Sequence, residues 1–159
     1  MSPSETFILF ELANAVYGIN SRDVLHIDML DHISPVPHTA PAVEGVVFSR
    51  GQVVPALNLR RRFGLPASAA TVRTRLIFIK FQERTVALIV DSAREFRRVP
   101  AESIRATEAA LHGIAGNYVQ GVATISDRTV LLLNLAIVLD LESALPDLLD
   151  QSVAAAQSS

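Results

Sequence analysis

Apolar residues in this chain come in short runs, and turn-forming residues separate the runs at short intervals. Thr6–Leu12 and Ala15–Asn20 are β-rich and flank Ala13-Asn14, which predicts a hairpin. Ser21 is placed to cap one helical turn from Arg22 to Leu25. A short extended stretch follows, ended by Pro35, Pro37 and Pro41, which bar a regular helix or a central strand. Gly45–Gly51 and Gln52–Leu57 predict a second hairpin with its turn at Ser49-Arg50-Gly51. Pro55 points to an edge position or a bulge. Asn58–Phe63 reads as a short helix stopped by Gly64 and Pro66, and residues 64–74 as a connecting loop.

The pattern then starts again. Arg75–Phe81 and Thr85–Val90 form a hairpin around Gln82-Glu83-Arg84, and Glu95–Val99 is extended. Pro100–His112 is alanine-rich and reads as helical, and Gly113–Asn117 as a loop. Tyr118–Ile125 and Thr129–Leu133 make the last hairpin, around Ser126-Asp127-Arg128. Residues 135–149 have helical apolar spacing, interrupted by Pro146, and the tail beyond is frayed.

The recurrence is visible residue by residue. Val43–Leu59 aligns without gaps on Val119–Leu135, with identities at Val43/Val119, Gly45/Gly121, Val46/Val122, Val54/Val130, Leu57/Leu133, Asn58/Asn134 and Leu59/Leu135. The first hairpins of each half align as well, through Val16/Val86 and Ile19/Ile89. Two similar all-β halves follow. Hairpin-rich units this small close into barrels to hide their edges, and each alone is marginal, so a shared core is expected.

Composition narrows the classes. The chain has 159 residues, 50% hydrophobic and 19% charged, too apolar for disorder. It has no cysteine, which excludes a disulfide scaffold, a thiol nucleophile and a zinc-thiolate or iron–sulfur site. The aliphatic runs fall far short of the roughly 20 residues of a membrane helix, and no basic region leads into a signal-peptide core. Charge is uneven. Residues 1–49 hold one base and six acids, 50–98 eleven bases and three acids, and 99–159 two bases and seven acids. A basic middle admits a nucleic-acid binder, although few aromatics are interleaved to stack on bases.

Little chemistry is visible. There is no nucleophile elbow, phosphate loop or dinucleotide fingerprint, and no nucleophile–base set. His26, His32 and His38 recur every six residues, but the Ser34–Pro37 break and the spacing argue against a metal site. Asp91 ends an apolar run and reads as a cap for the next turn or an arginine partner. Arg50, before Gly51 in a tight turn, is either a plain surface arginine or a partner contact. Arg60, Arg61 and Arg62 cannot all point one way on a helical turn and read as a solvated face.

The ordered set of motifs resembles the CheW family, the adaptor proteins of bacterial chemotaxis. The likeness runs over residues 6–140, through Phe7–Leu12, Val16–Ile19, Pro37, Ala40–Val47, Arg50–Leu59, Val90-Asp91 and Tyr118–Val122. It implies an all-β fold of two SH3-like five-stranded β-barrel subdomains sharing a hydrophobic core, with short helical segments and a C-terminal helix. The first barrel is expected at about residues 13–70 and the second at about 75–140, to which the N-terminal strand could also belong. Residues 141–159 would be the C-terminal helix and tail. It also implies no catalysis and no cofactor. The family couples the cytoplasmic tip of a methyl-accepting chemoreceptor to the regulatory domain of the CheA histidine kinase, in the cytoplasm at membrane-associated arrays. By position, the receptor groove between the barrels would include Val24, His26, Arg50, Val90, Ser92 and Ala93. The kinase would dock on the first barrel through apolar strand ends in about residues 29–55, with no contact residue assigned.

Three departures fall near that groove. The family usually has Asn-Leu where this chain has Phe48-Ser49, an acid at His26 and a valine at Ala93. They leave open an adaptor of a pilus-motility or other non-flagellar array, and His26 would make the contact pH-sensitive.

Overall fold

The computed structural model describes residues 4–106 and 118–141. Its strands are β1 (Ser4–Leu12), β2 (Ala15–Asn20), β3 (Val24–Met29), β4 (Val43–Ser49), β5 (Gln52–Asn58), β6 (Arg75–Phe81), β7 (Arg84–Val90), β8 (Ser92–Pro100), β9 (Ile104–Ala106), β10 (Val119–Ile125) and β11 (Arg128–Leu133). Two single-turn helices, α1 (Leu59–Arg62) and α2 (Leu135–Val138), follow β5 and β11. The strands form a six-stranded sheet in the order β8-β1-β2-β11-β10-β9 and a five-stranded sheet in the order β3-β6-β7-β5-β4.

The sheets do not divide where the sequence halves do. Each half gives its opening hairpin to the other sheet: β1–β2 joins β8 to β11, and β6–β7 joins β3 to β5. The exchange is made by parallel ladders, β2 with β11 and β5 with β7. The expected barrel bounds are corrected accordingly. A repeat reveals likeness between segments, but not which copy a strand pairs with. The six-stranded sheet also has one strand more than expected, because β9 pairs with β10.

Alternation explains the apolar excess. On β1, Phe7 and Leu9 face a core inside the six-stranded sheet, and Ile8, Phe10 and Leu12 face a core between the sheets. On β6, Leu76 and Phe78 face a core inside the five-stranded sheet, and Ile77 and Ile79 the joint core. These strands are buried on both faces, so they read as unbroken apolar runs. Each such side chain contributes about 1.5–3 kcal/mol on burial.

The identities in the repeat have local causes. Asn58 and Asn134 accept from the amides of Arg61 and Ile137 and so begin α1 and α2. Gly45 and Gly121 mark matching register shifts in β4 and β10. A Cβ on Gly45 would lie 2.1 Å from the Ser34 carbonyl oxygen, and one on Gly121 3.2 Å from that of Arg105. Pro55 is tolerated because the parallel ladder of β5 to β7 begins only at Ala56.

Three local expectations change. The turn after β2 is a 3-10 turn over Ser21–Asp23, capped by the Asn20 side chain rather than by Ser21. The alanine-rich stretch is not helical where it is described: Ala101–Ser103 is a 3-10 turn and Ile104–Ala106 is β9. There, pairing with β10 outweighs helix propensity. The remaining part of that stretch, the loop at 113–117 and the C-terminal helix beyond residue 141 lie outside the described residues. The hairpins turn on two residues each, all with positive φ: Ala13-Asn14, Arg50-Gly51, Gln82-Glu83 and Ser126-Asp127.

Candidate functional site

The six groove candidates fall into two groups. Val24 pairs with Ile79 and His26 with Phe78, past and at the middle of β6. Val90 pairs with Arg75, at its start. Ser92 and Ala93 open β8 opposite Glu11 and Phe10.

In the first group, the His26 ring stacks on Phe78, centroids 4.3 Å apart. Its Nε2 lies 3.4 Å from the Ser49 hydroxyl and 3.3 Å from Asp28 Oδ2. Ser49 precedes Arg50, so this contact brings the β4–β5 turn to β3. Arg50 itself is exposed at φ 50°, in the left-handed turn. Val24 packs at the margin of the joint core.

The second group is largely covered. Val90 is 1% exposed and Ser92 5% exposed, so neither side chain presents surface here. Ser92 Oγ lies 3.3 Å from Glu11 Oε2, which Arg94 also engages through Glu11 Oε1 at 2.7 Å. Ala93 is partly exposed.

Between Val90 and Ser92 lies an electrostatic joint that the sequence only half discloses. Asp91 does not cap the following turn. It accepts from the Ala13 amide at 2.9 Å and from Arg60 through Nε at 2.8 Å and through Nη2. It thereby ties the β1–β2 turn of one subdomain to α1 and β7 of the other. Burial alone would raise the Asp91 carboxyl, but the Arg60 and Ala13 hydrogen bonds and the Arg60 charge outweigh it and hold the carboxyl below its ordinary value.

The arginine run is likewise not a free face. Arg61 lies 4.0 Å from Glu44, and Arg62 donates to the carbonyls of Val138, Ile137 and Asp140, each at 2.8 Å. Arg62 also lies over the Tyr118 ring. Arg60, Arg61, Arg73, Arg94 and Arg97 of the basic middle segment thus pair with carboxylates of this chain, which leaves less of its charge for a phosphate backbone.

The feature that sequence reading placed only as a region is an apolar surface on the five-stranded subdomain. Met29 is 65% exposed, Phe48 72% and Val53 59%. Phe48 and Val53 are cross-strand partners, and Met29 and Phe48 line one groove with Asp28, Asp31 and His32. Large side chains on the outward side of a hairpin strand were the available signal. Among the described residues no cluster of His, Asp and Glu could hold a metal ion, and no helix is long and apolar enough to cross a membrane.

The sequence pattern of the CheW-like domain matches residues 6–144. The chain is 28% identical to the chemotaxis protein CheW of Klebsiella aerogenes over 82% of its length and 79% of that protein's. It is 29% identical to CheW of Bacillus subtilis over 90% and 94%. It is 28% identical to protein FrzA of Myxococcus xanthus over 64% of each chain. The scaffolding protein TtCheW from Thermoanaerobacter tengcongensis superposes with a TM-score of 0.81 at 24% identity, covering 89% of this chain and 94% of that one. The two sheets are accordingly two SH3-like barrel subdomains around a joint core, and the chain belongs to the CheW-like domain family.

Proposed function

We propose that this chain is a non-enzymatic scaffold of a bacterial chemosensory array, without a cofactor, working in the cytoplasm where receptors gather at the membrane. It holds the regulatory domain of a CheA-type histidine kinase on the five-stranded subdomain, and a methyl-accepting chemoreceptor tip at the groove between the subdomains. The observation that carries this reading is the Met29–Phe48–Val53 surface. Three large apolar side chains on neighbouring strands are a feature of a binding face, and they fall within the region where the family resemblance puts the kinase.

Co-purification with a kinase regulatory domain, with and without a receptor tip, tests the reading. Phe48→Arg should weaken kinase capture by more than about tenfold, as expected for a central apolar anchor. Arg50→Glu should weaken receptor-tip capture and leave the fold intact, because the exposed turn keeps its backbone while its charge reverses. Unchanged receptor capture would remove Arg50 from the site. The Phe48-Ser49, His26 and Ala93 departures favour, as a second reading, an array of a pilus-motility or other non-flagellar system. Preferential capture of the kinase from such a system would select it. Salt-sensitive gel shifts in place of kinase capture would return the chain to nucleic-acid binding.

A further inference from the structure

β3 and β4 are the outermost strands of the five-stranded sheet. His26 spans the seam between them, because one ring nitrogen faces a partner on each side of a choice. Across the seam is the Ser49 hydroxyl at 3.4 Å, and along its own strand is Asp28 Oδ2 at 3.3 Å. The ring cannot swing freely, since it is stacked on Phe78 and its side chain is 15% exposed. The same seam borders the groove lined by Met29 and Phe48.

We propose that His26 is a proton-operated latch on this seam. With the neutral ring protonated at Nδ1, Nε2 accepts the Ser49 hydroxyl and ties β3 to β4. A proton taken from solvent turns Nε2 into a donor. It then pairs with Asp28, and Ser49 loses its acceptor. The link moves from between the strands to within one of them, and beside the Met29–Phe48 surface the seam loses its side-chain tie while the Ser34–Val46 backbone bridge remains. The other ionisable groups on the surrounding elements are Asp31 and His32 in the groove, Arg50 beside Ser49, Glu44 on β4, and Arg75 and Lys80 on β6.

The consequence for binding rests on the kinase-docking reading above, so the test has an arm that does not need the kinase. The Nε2 resonance of the full chain is followed by nitrogen NMR from about pH 8 to about pH 5.5, the range in which histidines change charge. An acceptor-type Nε2 at the upper end supports the latch. The amides of Ser49 and Arg50 should shift together with the His26 titration in the native chain, and should not follow it in Ser49→Ala. An Nε2 already protonated at the upper end, or Ser49 amides that ignore the titration, overturns the latch whatever the kinase does.

In the second arm, capture of the kinase regulatory domain should weaken by about fivefold across the same range, a modest coupling between sites. His26→Gln, whose neutral amide can still accept from Ser49, should hold the tight state throughout. His32→Gln should keep the dependence. A flat response, or one abolished by His32→Gln, overturns the control of binding by His26. No capture at any pH sinks the kinase-docking reading instead and leaves the latch to the NMR arm.

Discussion

α1 and α2 stand at equivalent points of the internal repeat, each begun by an asparagine cap and a buried leucine, yet their remaining residues differ in kind. After Leu59 come Arg60, Arg61 and Arg62; after Leu135 come Ala136, Ile137 and Val138. α1 reaches outward with three cations, and α2 answers with the carbonyls that Arg62 engages. The residues after the inner hairpins differ in the same way, since Asp91 receives Arg60 and its counterpart Ser21 opens a 3-10 turn. The repeat supplies two similar barrels, one with a strand more than the other. The polar fastening between them is built at one corner, so the molecule has a distinct front and back from a nearly symmetric backbone.

The comparison breaks most sharply at Asp91. Asp91→Ala removes the partner of a mostly covered Arg60 and strands the Ala13 amide, and should cost about 2 kcal/mol, between the values for exposed and buried pairs. Ser21→Ala should lie within about 0.5 kcal/mol of the native chain, as surface changes do. Urea denaturation measures both, and equal losses would erase the asymmetry. The sign of the pH dependence follows from the depressed Asp91 carboxyl. A depressed native pKa stabilises fully above the ordinary carboxylate value. That contribution is lost as pH falls below the ordinary value and through the native one. The gap between native and Asp91→Ala chains should therefore be open at neutral pH and shrink in strong acid.

Arg62 comes next. Arg62→Met keeps an unbranched apolar stem but gives up three hydrogen bonds to carbonyls around the end of α2 and the contact with Tyr118. The expected loss is about 1.5 kcal/mol, since these bonds are partly exposed and water replaces some of them. Hydrogen exchange should speed at Val138 and Leu139, whose amides bond within the α2 turn, before it speeds in β4. Loss spread evenly over both barrels would mean that Arg62 does not act on α2.

These fasteners show where sequence reading stops. The hairpins were legible, because apolar strands between turn residues leave a local trace. The doubly buried strands were legible as runs without polar breaks, as Ile77, Phe78 and Ile79 illustrate. The exchange of hairpins was not, because the ladder from Ala56 to Ala87 joins distant segments and nothing local encodes it. Helical spacing makes Arg60, Arg61 and Arg62 diverge, and in the structure each direction meets an acceptor supplied by a remote segment. The sequence offers candidate positions and no surface. Val90 and Ser92, groove candidates by family resemblance, have covered side chains, and Met29, Phe48 and Val53 show their exposure only once β3, β4 and β5 are assembled.

The smallest effect compares the two hairpin turns of the second half. Gln82-Glu83 and Ser126-Asp127 both hold positive φ at both positions, as Arg50-Gly51 does with a glycine at the second. This is the turn that suits the twist of a hairpin, and it favours Asn-Gly or Asp-Gly. Glutamate at φ 66° carries the ordinary left-handed cost, whereas aspartate, at φ 64°, is among the residue types that visit this region more readily. Glu83→Gly should therefore raise stability by about 0.5–1 kcal/mol, and Asp127→Gly by about half as much, glycine's greater unfolded freedom limiting both. Thermal melts of the two variants give the ranking. A larger gain at Asp127 would mean that the β10–β11 turn is the more strained, and that the two barrels differ in their hairpins as well as in their fastening.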